Sequence, residues 1–245
     1  MKSIGVIPAR YESSRFPGKP LADINGKPMI WWVYQQVRKS KRLDAVLVAT
    51  DDDRIKKVCE QLGLEVCMTS IEHNTPTSRT YEISCYYPAD FYIMVNGDEP
   101  LISPETINAI IPTALSEQPY VASAVTMISN ASDVIDPTNL KVVVSNQNKL
   151  LYISRASIPY PKGMNEYTFR KFVGIQTLNK SALDFYAKYP KSPLELIEES
   201  DLLRYIENGI DVHIAHVEND NLSVDTPKDL EKVQKILMKE GICYE

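Results

Sequence analysis

The sequence predicts an α/β fold, two-layered around a mixed, mostly parallel sheet flanked by helices, with a smaller lobe in its second half. Three observations predict it. Strand-length apolar runs at 4–7, 45–50 and 65–68 alternate with amphipathic helical patterns at 29–37 and 53–62, which is the rhythm of βαβ units. The polar segments richest in charged and turn-forming residues fall just past the strands at 4–7 and 91–95. After about residue 120 the rhythm changes, with strand-like runs at 121–127, 141–144, 150–153, 172–178 and 212–217 separated by short helices, which makes the second half mixed.

Individual boundaries follow from local chemistry. Ser103 is a natural N-cap and Pro104 a natural first residue for a helix over 103–115. Asp225 or Thr226 caps a last helix over 228–239, with Pro227 in its first turn. Pro159, Pro161 and Gly163 make 157–167 an excursion from the sheet. At 245 residues one main domain can close a core, with residues 1–120 and 121–245 as its halves and 165–204 assigned to the second.

Composition excludes several classes. With 27 Lys+Arg against 32 Asp+Glu, mixed along the chain, no broad basic face for nucleic acid is expected. The longest apolar runs, such as 109–115, fall far short of the roughly 20 residues of a membrane span, and the start of the chain lacks a signal-peptide pattern, so a cytoplasmic location is expected. Cys59, Cys67, Cys85 and Cys243 form no CxxC pair and, with only three histidines, no zinc pattern; four reduced thiols are expected, with a Cys59–Cys67 disulfide as the alternative.

Three segments carry candidate chemistry. Residues 8–20, directly after the first strand, hold Arg10, Arg15 and Lys19 with three hydroxyls and one glycine. This is neither a dinucleotide fingerprint nor a P-loop. It reads as a cationic clamp for phosphate, two guanidinium forks and one ammonium, or as a solvated basic loop; the Pro17-Gly18 turn that aims Lys19 favours the clamp. Asn96-Gly97-Asp98-Glu99-Pro100 places two adjacent carboxylates past the strand at 91–95, and carboxylate beside polyphosphate implies a divalent cation such as Mg²⁺. Asp98 as a helix cap is the alternative there, and Asp225 is either the N-cap of the last helix or, facing Asp98, a second metal ligand. No hydrolytic nucleophile lies near these loops, and His73 reads as a surface or capping residue. Cations, paired carboxylates and no nucleophile point to nucleotidyl transfer, with a metal-polarised acceptor and no general base.

The run from Ile7 through Pro-Ala-Arg-Tyr and Ser-Arg-Phe-Pro-Gly-Lys-Pro to Met29 resembles the opening of the 3-deoxy-manno-octulosonate (KDO) cytidylyltransferases. Further matches are Val48-Ala-Thr-Asp51, Val66-Cys-Met-Thr69, Val95 to Pro100, Tyr152 to Pro159, Pro193 to Glu198 and Val224-Asp-Thr-Pro227, so the resemblance runs nearly end to end. It implies a nucleotidyltransferase-like, usually dimeric fold that uses CTP and Mg²⁺ to attach CMP to an acidic sugar and releases pyrophosphate. By this similarity Arg10 and Lys19 hold the triphosphate, with Asp98 beside them at the reacting centre. Pro8, Ala9, Ser13, Arg15, Arg79 and Asn96 line the nucleotide, Asp98 and Asp225 bind the metal, and Arg155, Phe172, Gln176, Glu195, Glu198 and Leu202 face the acceptor.

Departures fall around the base and the acceptor. Asn96 stands where the family reads Gln, and Thr75-Pro76-Thr77-Ser78-Arg79 replaces its SGTER pattern, so base recognition is expected to be rebuilt. Phe172 to Leu178 loses a His and two Tyr, and Leu202 replaces a Gln. Each hydroxyl left unmatched in a closed site costs about 1–3 kcal/mol. The acceptor is therefore expected to be KDO, a related ulosonic acid, or another small acid such as a modified sugar acid or a phosphonate. A non-catalytic nucleotide-binding homologue, and a sugar-phosphate pyrophosphorylase using UTP or GTP, are the remaining readings; the loop after the first strand lacks the glycine density of the latter.

Overall fold

The structure, a computed structural model, describes residues 1–12, 16–163, 167–218 and 222–239. Ser13, Arg15 and Cys243, all singled out from the sequence, lie outside the described residues. In chain order the elements are β1 (Ser3–Ala9), a 3₁₀ turn (Lys19–Leu21), a small hairpin of β2 (Asp23–Ile24) and β3 (Lys27–Pro28), α1 (Met29–Arg38), β4 (Ala45–Thr50), α2 (Asp53–Gln61), β5 (Val66–Met68), α3 (Pro76–Tyr86), β6 (Phe91–Val95) and α4 (Pro104–Ile110). The second half continues with β7 (Val121–Met127), α5 (Ala131–Ile135), β8 (Lys141–Val144), β9 (Leu150–Ser154), β10 (Arg170–Asn179), α6 (Lys180–Lys188), α7 (Pro193–Glu198), α8 (Leu202–Glu207), β11 (Val212–His216) and α9 (Pro227–Lys239).

Among the described residues one sheet runs in the order β11-β7-β10-β6-β1-β4-β5. Strands β6, β1, β4 and β5 are parallel, so Ala9, Thr50 and Val95 end at one edge and deliver their loops there. The sense of the sheet breaks at β10, which is antiparallel to both β6 and β7, while β11 is parallel to β7. β10 outruns β6: residues 175–179 pair with β6, whereas Arg170 to Phe172 reach past it and meet β7, and Lys171 also pairs with Lys141 of the β8–β9 hairpin. That hairpin and α5 form the smaller lobe.

Helices cover both faces, so the sheet is the middle of three layers rather than one of the two expected. Val33 and Val37 of α1, Ile55 of α2, Ile107 of α4 and Val233 and Leu237 of α9 pack on one side. Ile83 of α3, Leu183 of α6 and Leu203 of α8 pack on the other. Each face is the apolar stripe of an amphipathic helix laid on a sheet apolar on both sides, as parallel strands require. The predicted element types hold, with one helix shortened. α4 ends at Ile110 rather than 115 because Pro112 drives Ile111 to extended backbone, with ψ 122°. Cys59, Cys67 and Cys85 are free thiols.

Two expected acceptor residues belong to the core. Leu202, 1% exposed, packs in the cluster under α6 and α8. Glu195 is equally buried: both its oxygens accept from Arg204, at 2.6 Å each, and the same guanidinium donates to the carbonyls of Tyr186 and Tyr189 and lies 3.8 Å over the Tyr186 ring. The run that resembles a substrate-facing motif is thus held by a buried ion pair joining α7 to α8. Glu195→Ala would strand Arg204 as an uncompensated buried charge, and a loss of about 3–5 kcal/mol is expected in urea denaturation. A Glu195→Leu/Arg204→Met double variant should lose less than the single one.

Candidate active site

The loop after β1 is closed on itself before it can present any charge. The Gly18 amide donates to the Tyr11 carbonyl at 2.9 Å, and Gly18 takes a left-handed φ of 71°. A Cβ there would meet the Tyr11 ring at 3.1 Å, so the position excludes side chains on two counts. The Arg54 guanidinium lies 3.3 Å over the other part of this contact, the Tyr11 ring, and is itself held by Asp52 at 2.6 Å. α2 thereby braces the loop, a role for Arg54 and Tyr11 that charge spacing did not reveal, since an Arg in a first helical turn looks like surface.

Lys19 and the two carboxylates meet. The ammonium is 2.6 Å from Asp98 and 3.7 Å from Asp225, all three partly buried. Among the described residues both helix starts beside them have other caps. α4 is capped by Ser103, which accepts from Thr106 at 3.1 Å. α9 is capped by Thr226 in a reciprocal pair with Asp229, each accepting from the other's amide. The Val224 amide donates to the Asp98 carbonyl at 2.9 Å, which brings the two acidic loops side by side. Gly97 passes so close to β1 that a Cβ would lie 2.9 Å from the Pro8 carbonyl oxygen. Two carboxylates converging on one cationic group beside a phosphate-suited loop fit a hard divalent cation completed by phosphate oxygens.

A hollow of about 230 Å³ opens beside this point, lined by Pro8, Ala9, Arg10, Lys19, Asn96 and the start of α3. Arg10 is exposed at its rim. Thr75 caps α3, accepting from the Ser78 amide at 3.1 Å, and lies 2.9 Å from the Tyr186 hydroxyl. Pro76 occupies the first helical turn, where a missing amide leaves no bond unmade, so the expected lost donor has no consequence for the helix. The Ser78 hydroxyl turns back to the Thr75 carbonyl. Arg79 lines the hollow, but its guanidinium is committed to Asp51 at 2.7 Å and to Thr69. His73 lines the hollow too, 2.5 Å from Glu82, rather than standing on the surface or capping a helix.

A second, wider hollow of about 750 Å³ shares Asn96, Asp98 and Asp225 with the first, and Arg155, Lys171 and Phe172 line it. Of the expected acceptor residues, Arg155 and Phe172 are therefore at this surface. Glu198 stands behind it, accepting from the Arg155 amide at 2.9 Å and from the Ser154 hydroxyl, which sets the direction of the Arg155 backbone. Gln176 lines neither hollow: it pairs with Met94 below the sheet edge, 3% exposed, and donates to Asp201 at 3.0 Å. Being further along β10 than Phe172 puts it deeper, which the alternation of the strand cannot reveal.

Glu99 is the residue that adjacency to Asp98 disguised. Asp98 lies at both hollows, whereas Glu99 meets only the wider one and is 2% exposed, with Oε1 accepting from Ser223 and Oε2 without a partner among the described residues. It sits against Gly174 of β10, where a Cβ would lie 2.6 Å from Oε1, so in this arrangement a larger residue would displace the carboxyl. Burial, and then the charge of Asp98, push its carboxyl up to about 8. Between the ordinary carboxyl value of 4.5 and about 8 the folded protein holds a proton that the unfolded chain has released, so stability falls as pH rises through this window. In chelator, the melting temperature should fall from pH 5 to pH 8 more steeply than that of Glu99→Gln; parallel curves would refute the assignment.

Comparison with known proteins gives the family. A family model described as cytidylyltransferase matches residues 4–214. A 3-deoxy-manno-octulosonate cytidylyltransferase of Parabacteroides distasonis is 40% identical, covering 97% of this chain and 98% of its own length, and that of Escherichia coli is 36% identical, covering 98% and 97%. A solved CMP:2-keto-3-deoxy-manno-octonic acid synthetase complexed with CTP superposes with a TM-score of 0.90 at 37% identity, covering 98% of this chain and 100% of that one. A glucose-1-phosphate thymidylyltransferase of Bacillus anthracis, at 12% identity and a TM-score of 0.69, shares the fold alone. The chain belongs to the cytidylyltransferase family of CTP-dependent nucleotidyltransferases, among the 3-deoxy-manno-octulosonate cytidylyltransferases.

Proposed function

We propose that this protein transfers CMP from CTP to KDO or a closely related ulosonic acid, with Mg²⁺, and releases pyrophosphate. The observation that carries the reading is the position of Asp98 and Asp225 at the seam of the two hollows, where a nucleotide and an acceptor would touch. Lys19 and Arg10 offset charge on the triphosphate, with Arg15 and Ser13 expected to extend that grip. Pro8, Ala9, Asn96 and the α3 wall around Arg79 enclose the nucleotide. Asp98 and Asp225 hold the Mg²⁺, which supplies charge neutralisation at the reacting phosphate. The acceptor hydroxyl oxygen bonds to the α-phosphorus as the bond to the pyrophosphate oxygen breaks, its proton passing to water, and Arg155 and Lys171 bring positive charge to the acceptor carboxylate. Residues 1–120 and 121–245 act as nucleotide and acceptor halves. A homodimer and a cytoplasmic location complete the reading on the strength of the family resemblance; among the described residues no helix is long and apolar enough to cross a membrane.

Phe172 at the wall of the wider hollow favours a second acceptor, a small acid with fewer hydroxyls than KDO. Pyrophosphate release with each of the four nucleoside triphosphates, against KDO and a panel of sugar acids and phosphonates, separates the two. Turnover with CTP and KDO supports the first; CTP turnover with another acid alone supports the second; no turnover with CTP refutes both. Asp98→Asn and Asp225→Asn should each lower kcat at least about 100-fold; undiminished turnover refutes the metal assignment.

A further inference from the structure

The two carboxylates at the seam sit on segments far apart in sequence, so their separation depends on contacts between those segments. Their neighbours supply those contacts. Glu99, next to Asp98, accepts from the hydroxyl of Ser223, two residues before Asp225. The Val224 amide, between Ser223 and Asp225, donates to the Asp98 carbonyl at 2.9 Å. Side chain and backbone thus tie the same two segments twice, with both donors on Ser223-Val224 and both acceptors on Asp98-Glu99. Behind them β10 supplies a fixed backing: the Asn96 amide donates to the Gly174 carbonyl at 2.9 Å, and a Cβ on Gly174 would lie 2.6 Å from Glu99 Oε1 and 2.9 Å from Asn96 Nδ2.

We infer that Glu99 and Ser223 form a clasp, seated on Gly174, that sets the separation of Asp98 and Asp225 and so tunes their hold on a divalent cation. Glu99 and Ser223 are positioning residues here. The inference rests on the reading of Asp98 and Asp225 as the cation's ligands, and it assigns a purpose to a carboxyl kept out of water one residue from a ligand. Residues that orient metal ligands typically contribute about 10–100-fold to affinity.

Mn²⁺ titrated into the intact protein, with the electron paramagnetic resonance signal of the free ion as readout, tests it without turnover. Wild-type protein should bind Mn²⁺, Ser223→Ala about tenfold more weakly, and Ser223→Thr close to wild type because it keeps the hydroxyl. CTP binding measured calorimetrically in chelator should be the same for all three, since Ser223 lines only the wider hollow. Wild-type affinity in Ser223→Ala would overturn the clasp and leave the metal reading standing. Parallel loss of Mn²⁺ and metal-free CTP binding would also overturn it, exposing a general packing role. No Mn²⁺ binding by the wild type would overturn the metal reading and the clasp with it.

Discussion

Everything at the working edge of this protein is arranged around one crowded charge contact, the Lys19 ammonium between Asp98 and Asp225. The three side chains come from the loop after β1, the loop after β6 and the segment before α9, so the contact exists only when the parallel part of the sheet and the C-terminal helix are both in place. Its supports are specific. Tyr11 and Gly18 close the first loop, Gly97 lets the second pass against β1, and Thr226 with Asp229 starts α9 without using Asp225 as a cap. Partial burial keeps these charges from being fully screened, which makes their mutual placement energetically consequential.

Much of the fold was legible in the sequence because parallel strands buried on both faces and amphipathic helices leave distinct periodicities. The strands at Ala45–Thr50, Phe91–Val95 and Val121–Met127 have the limits that hydrophobic pattern alone assigns them. The apolar run to residue 115 overstates α4, because Pro112 ends the helix at Ile110. The place of the candidate site was legible at Arg10, Lys19, Asp98 and Asp225, which lie together as expected because post-strand loops in such sheets converge on one edge. It was not legible at Glu195, Gln176 and Leu202, whose motif context suggested a surface. Depth is the missing quantity: a motif specifies which residues are neighbours in the chain, whereas the Arg204 pair and the position of Gln176 below the edge follow from how α7, α8 and β10 pack.

Glu99 illustrates the same limit from the other side. Two consecutive acidic residues in a loop read as two equivalent carboxylates, yet the turn at Gly97-Asp98 separates them: Asp98 lies at both hollows, whereas Glu99 is 2% exposed and meets only the wider one. The substitutions at Thr75, Pro76 and Ser78, which read as losses, prove to be a well-formed helix start whose cap also touches Tyr186. What looks like damage to a motif can be a different solution to the same backbone requirement.

β10 has a consequence for how such a protein can change over evolutionary time. Its later residues are welded between β6 and β7, whereas its first residues overhang β6 and carry the β8–β9 hairpin. The overhang leaves β6 but stays paired with β7 and touches the hairpin: Phe172 and the hairpin can change there, while Gly174, where a Cβ would lie 2.6 Å from Glu99 Oε1, is held close against the acidic loop. A lineage can therefore explore new acceptors by rewriting the tip of one strand without disturbing the chemistry anchored at its base.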